Sequence, residues 1–148
     1  MATVLIDDHL LRDVLTGERP RHLGGIASGL ATTGLWLFRL SSSLAAPGTV
    51  GKLSAPVKGL PAPMQEEFRA KLISLPPEIE ILHLRDLAWS MAELQHRHRQ
   101  RSHQLSAAMV EALAAAHHLG ADIAVSQHDL GPNLRAAALD DGITLHAL

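Results

Sequence analysis

Two adjacent aspartates, Asp7 and Asp8, follow the apolar run Val4-Leu5-Ile6 near the start of the chain. Carboxylates in such a place suit a hard divalent cation. Mg²⁺ and Mn²⁺ take oxygen ligands, and two-metal phosphodiester hydrolysis needs several carboxylates around the attacking and leaving oxygens. Asp8 has a second reading, as the cap of the following helix, a role that contributes roughly 1 kcal/mol. A basic segment, HRHRQRSH at 96–103, carries Arg97, Arg99 and Arg101, whose guanidinium groups can pair with RNA phosphates. No aromatic residue interleaves for base stacking, and an exposed helix end accounts for the same residues equally well.

Histidine is plentiful, with 10 residues, and His96, His98, His103, His117 and His118 raise the question of zinc. His117 and His118 are neighbours, about 100° apart on a helix, and no H-E-x-x-H spacing occurs. A solvated basic face is the expectation for this group. GGIASG at 24–29 lacks the dinucleotide-binding spacing, and no G-x-S-x-G is present. The chain has no cysteine, which removes thiolate sites and disulfides and accords with a reducing cytoplasm.

These residues need elements to position them. Residues 3–7 read as a strand and HLLRDVL as a short helix stopped by Gly17 and Pro20. RPRHLGGIASG reads as loop and LWLFRLSSSLAA as helix, followed by a loop from Pro47 to Pro63 with a short amphipathic piece near VGKL. A helix over APMQEEFRAKLISL comes next, with Met64, Phe68 and Leu72 on one face and Pro76 ending it. EIEILHL is a strand and RDLAWSMAELQHRHR a helix. After a basic linker come the alanine-rich helix LSAAMVEALAAAHHLG, the strand DIAVS, a helix opened by Pro132 and the last strand ITLHAL. Trp36 and Trp89 are expected in the core or at a subunit interface. Such alternation predicts a single domain, 1–148, of three-layer α/β architecture, with a largely parallel central sheet and helices on both faces. Net charge is −2, although no acid occurs between Arg19 and Gln65. No apolar run approaches the ~20 residues of a membrane span, and the start of the chain lacks a secretory pattern, so a cytoplasmic protein without membrane contact is expected.

VLIDDHLLRDVL resembles the opening of response-regulator receivers, but no aspartate between Asp13 and Asp86 can serve as their phosphoacceptor. A broader resemblance runs through LAWSMAELQHRHR, LSAAMVEALAAAHHLGADIAVSQHDL and GITLHAL. It is to the PIN-domain family of Mg²⁺- or Mn²⁺-dependent ribonucleases, which includes toxin subunits of toxin–antitoxin pairs. The resemblance puts Asp7 at the family's first aspartate and Asp129 at the outer acid of its D-x-D-L motif. Arg39 falls on the glutamate of the family's Glu-Leu pair, Met109 on the helix aspartate, and Val125 and Gln127 on the T-x-D pair. Glu111 lies two residues past Met109, about 200° round the helix. It is either the missing acid after a register shift or a surface glutamate. The resemblance thus implies a degenerate PIN-like domain that acts by binding RNA or a protein partner, with little or no nuclease activity. The alternative is a working Mg²⁺/Mn²⁺ endoribonuclease toxin, with Asp7, Asp8 and Asp129 as catalytic and metal-binding acids, helped by Glu111. In the binding reading, Arg39, Arg97, Arg99 and Arg101 contact nucleic acid. A homodimer and an antitoxin-like protein are the partners the resemblance implies.

Overall fold

The computed structural model describes residues 3–18, 20, 22–26, 28–48, 50–127 and 130–148. In chain order the described elements are β1 (Thr3–Ile6), α1 (Asp8–Thr16), α2 (Leu23–Ile26), β2 (Gly29–Thr33), α3 (Gly34–Ala45), α4 (Ala55–Lys58) and α5 (Ala62–Ile73). They continue with β3 (Ile79–Leu82), α6 (Leu84–Gln100), α7 (Ala107–Leu119), β4 (Asp122–Val125), α8 (Pro132–Asp140) and β5 (Leu145–Ala147). The five strands form one parallel sheet in the order β3-β2-β1-β4-β5.

Alternating strand residues divide the core into two layers. Val4 and Ile6 of β1, Leu30 of β2, Ile79 of β3 and Ala124 of β4 pack with Leu10, Leu11, Leu15, Leu40, Val57 and Phe68. Leu5, Ala31, Leu82, Ile123 and Val125 point the other way, onto Leu87 and Leu94 of α6, Leu113 and the alanines of α7, and Leu134 of α8. This is the period-2 pattern of a sheet covered on both faces. It gives the three-layer α/β architecture expected from the sequence. α7 is buried from Val110 through Ala116, and its small side chains let it lie close to both α6 and the sheet.

The local signals explain most boundaries. Gly17 and Gly120 take left-handed conformations at the ends of α1 and α7, with φ of 86° and 61°. Pro132 opens α8. β2, GLATT, lies in the stretch 30–34 to which the sequence assigns no element, together with Gly29 of the expected loop; it pairs with both β1 and β3. The first half of the basic segment is the last turn of α6, which continues to Gln100 in agreement with the helix read over RDLAWSMAELQHRHR, and 101–106 link it to α7. Met64 is exposed, leaving Phe68 and the half-buried Leu72 as the packed face of α5. No helix among the described residues is long and apolar enough to cross a membrane.

Candidate functional site at the carboxyl edge of the sheet

Strands β1, β2 and β3 extend the sheet in one direction, and β4 then returns to the other side of β1. In open α/β sheets the crevice at such a reversal, beyond the strands' carboxyl ends, is where ligands sit. Asp7 is the first residue past β1, and its N–H extends the ladder by donating to the Ala124 carbonyl at 3.2 Å. The backbone is extended there, which makes Asp7 the N-cap of α1. Its Oδ1 accepts the Leu10 N–H at 2.9 Å, and its Oδ2 accepts the Ser126 N–H just beyond β4, also at 2.9 Å. One carboxylate, 1% exposed, thus closes a helix terminus and ties the two strands at the reversal.

Asp8 is the first residue of α1, so the expectation that it caps the helix is corrected: the preceding, extended residue has the geometry for that bond. Asp8 is itself buried. Its Oδ1 accepts the His9 N–H at 2.9 Å and its Oδ2 lies 3.3 Å from Nε of Arg39, whose side chain is half exposed. Glu111 is turned inward from α7. Its Oε1 accepts the Leu35 N–H at 2.8 Å, while Thr33 Oγ1 accepts the Trp36 N–H at 3.2 Å. Two side chains therefore satisfy amides at the start of α3, and the charged one stands at the positive end of that helix. With 1% exposure, Glu111 is not a surface glutamate.

The remaining positions diverge. Met109 is half-buried, Val125 is a core residue of β4, and Gln127 is exposed with its N–H on the Leu148 carbonyl. Asp129 lies outside the described residues. Arg97 donates to Asp141 Oδ1 at 2.5 Å, Arg101 lies 3.8 Å from Asp140 Oδ2, and Arg99 is exposed. These residues sit at the end of α6, away from Arg39, Asp7 and Asp8. Trp36 is in the core, whereas Trp89 is 78% exposed, its Nε1 held by Glu93 Oε1 at 2.7 Å.

The histidines also divide. His96, His117 and His118 are exposed, as expected for a solvated face, but His98 is fully buried and His103 half-buried. Together with Asp140 they form, among the described residues, a set of three metal-type donors within 4.8 Å of one another. The sequence raises zinc for His98 and His103 among five histidines, but the expected solvated face sets it aside and Asp140 is not among its candidates. The five-residue spacing of His98 and His103 across a helix end was the available signal, but Asp140 is brought to them only by tertiary packing. Comparison of the chain with protein-family models and with curated proteins gives no match.

Proposed function

We propose that the chain is a degenerate PIN-like domain that works by binding a protein partner, with little or no nuclease activity. What supports the non-catalytic reading is the occupation of its acids. Both oxygens of Asp7 accept backbone amides, Glu111 caps α3, and Asp8 faces a guanidinium. This donor set does not fit a hard divalent cation, since Arg39 would stand beside it as a competing positive charge.

The preference for protein over RNA rests on charge and on Trp89. At the sheet edge Arg39 is already paired with Asp8, and two of the three arginines in the basic segment already meet Asp140 and Asp141. Phosphate would find few uncommitted cations. Trp89, by contrast, exposes its ring while Glu93 fixes its orientation, and exposed, pre-ordered tryptophans are frequent interface anchors.

One experiment tests both parts: incubation of the purified chain with a mixed RNA pool and Mn²⁺, followed on native and denaturing gels, beside Asp7→Asn. Neither cleavage nor retention of RNA is expected. Mn²⁺-dependent cleavage that Asp7→Asn abolishes would overturn the non-catalytic reading, and retention without cleavage would replace the protein partner by RNA.

A further inference from the structure

α6 and α8 follow β3 and β4, so both run back from the carboxyl edge and end at the opposite side of the sheet. The chain turns sharply after α6, with the N–H groups of Arg101 and His103 both returning to the His98 carbonyl, at 3.1 and 2.9 Å. This turn brings the His98 and His103 rings to 5.4 Å between centroids. Asp140, the last residue of α8, places Oδ2 2.7 Å from His103 Nε2. His98 Nε2 lies 2.9 Å from Asp141 Oδ2, and Asp141 is held on its other oxygen by Arg97. His98 Nδ1 is buried and has no hydrogen-bond partner among the described residues.

That orphaned nitrogen is the observation an ion-pair network does not explain. A carboxylate only accepts, so Asp141 draws the proton to His98 Nε2, which in a neutral ring leaves the lone pair on Nδ1. A carboxylate behind a histidine, with the other ring nitrogen open, is the arrangement that orients histidines toward bound metals. We propose that His98, His103 and Asp140 bind a borderline divalent transition-metal ion, Zn²⁺ first, through two imidazole nitrogens and one carboxylate oxygen, with a fourth position open. Such a ligand set is the kind zinc accepts when it keeps a solvent position.

Arg101, 3.8 Å from Asp140 Oδ2, opposes a cation here as Arg39 does beside Asp8. Both Arg101 and Asp140 are partly exposed, however, and the guanidinium can turn to solvent, whereas Asp8 is buried. Two features of the surroundings agree with the proposal. The C-termini of α6 and α8 meet here, and the carbonyl ends of helices favour a cation. Arg97, Arg101, Asp140 and Asp141 also line an open depression of about 400 Å³, so the Asp140 side of the site faces solvent. The 2.7 Å contact between His103 and Asp140 holds a proton. Bonds of ~2.0–2.1 Å to a tetrahedral ion set neighbouring ligand atoms about 3.3 Å apart, so the ion replaces that proton and the pair opens slightly. Both side chains are partly exposed and can move. Zn²⁺ is gained at His103 Nε2, and the proton there moves to Nδ1 of the same ring, so that the ligand is a neutral imidazole. A proton passes to the buffer only from a ring that was imidazolium, and no redox change occurs. The site lies at the other end of the sheet from Asp7, so its failure would leave the reading of the carboxyl edge untouched.

Calorimetric titration of Zn²⁺ into the metal-stripped full chain, in two buffers of different ionisation enthalpy, tests the site. One ion per chain is expected, with proton release that grows when the titration is repeated at lower pH. His103→Ala and the shape-preserving Asp140→Asn should each weaken binding at least tenfold, and His118→Ala should leave it unchanged. Asp141→Asn, which alters a positioning residue, should weaken it about 10–100-fold. Co²⁺ provides a second readout, since the visible absorption of a tetrahedral site should appear in the wild type and vanish in Asp140→Asn. The absence of saturable Zn²⁺ binding, or full binding by folded Asp140→Asn and His103→Ala, would overturn the proposal and leave a network that only joins two helix ends.

Discussion

Asp7 and Asp140 are both aspartates at a helix terminus, but they meet opposite ends of the helix. At the start of α1 the backbone offers donors, and Asp7 spends both oxygens on amides, those of Leu10 and Ser126. At the end of α8 the backbone offers only carbonyls, so Asp140 is matched by side chains, His103 and Arg101. The same contrast holds for their neighbours: Glu111 serves the Leu35 amide of α3, and Asp141 serves His98 and Arg97. Acids at helix N-termini are thus absorbed into the fold. Those at C-termini must recruit side-chain donors, and an imidazole among those donors can exchange its proton for a metal ion.

The strongest way to break this comparison is to remove the acid most fully absorbed. Asp7→Ala deletes an N-cap, at about 0.5–2 kcal/mol, and takes the acceptor from a buried Ser126 amide, at about 1–3 kcal/mol. Urea unfolding should show a loss of about 3 kcal/mol. A loss below about 1 kcal/mol would mean that the backbone does not depend on this carboxylate, and would return Asp7 to the pool of available ligands.

Glu111 sharpens the point, because its hydrogen bond and its charge can be separated. Glu111→Ala leaves the Leu35 amide without its acceptor in a half-buried position and should cost about 2 kcal/mol. Glu111→Gln keeps an acceptor oxygen and loses only the charge at the start of α3, at about 0.3–1 kcal/mol. Equal losses in the two variants, measured by the same urea transitions, would assign the role of Glu111 to charge alone.

These residues also show how far the sequence could be read. Asp7 was legible because an uninterrupted apolar run before an acid has one good place in an α/β sheet. The strands rich in Val, Ile and Leu were legible for the same reason. β2 was not: Gly-Leu-Ala-Thr-Thr offers one large apolar side chain, and its strand conformation comes from pairing on both sides with β1 and β3. Glu111 hung on register, since two residues along a helix turn a side chain to the opposite face. His98, His103 and Asp140 lay beyond reach because α8 contributes the third donor from 37 residues away. Spacing rules describe single elements, and this cluster is made where two elements end.

The smallest expected effect concerns Asp140, in protein freed of metal by chelation. The hydrogen bond from His103 is the main cause that holds its carboxyl below the ordinary value of 3.8, with further help from the charges of His103, Arg101 and His98 against a desolvation cost. A folded pKa below the unfolded one means that the folded chain favours the carboxylate. The resulting stabilisation is complete above the unfolded value and is lost as pH falls through the lowered one. Carbon-detected NMR should therefore find Asp140 titrating below 3.8 in the wild type and closer to it in His103→Ala. The side chain is exposed enough for water to screen most of this interaction, so the unfolding midpoint near neutral pH should barely move. An Asp140 titration unchanged by His103→Ala would show that the imidazole is not its principal partner. The contrast between an acid absorbed by backbone and one matched by side chains would then lose its second half.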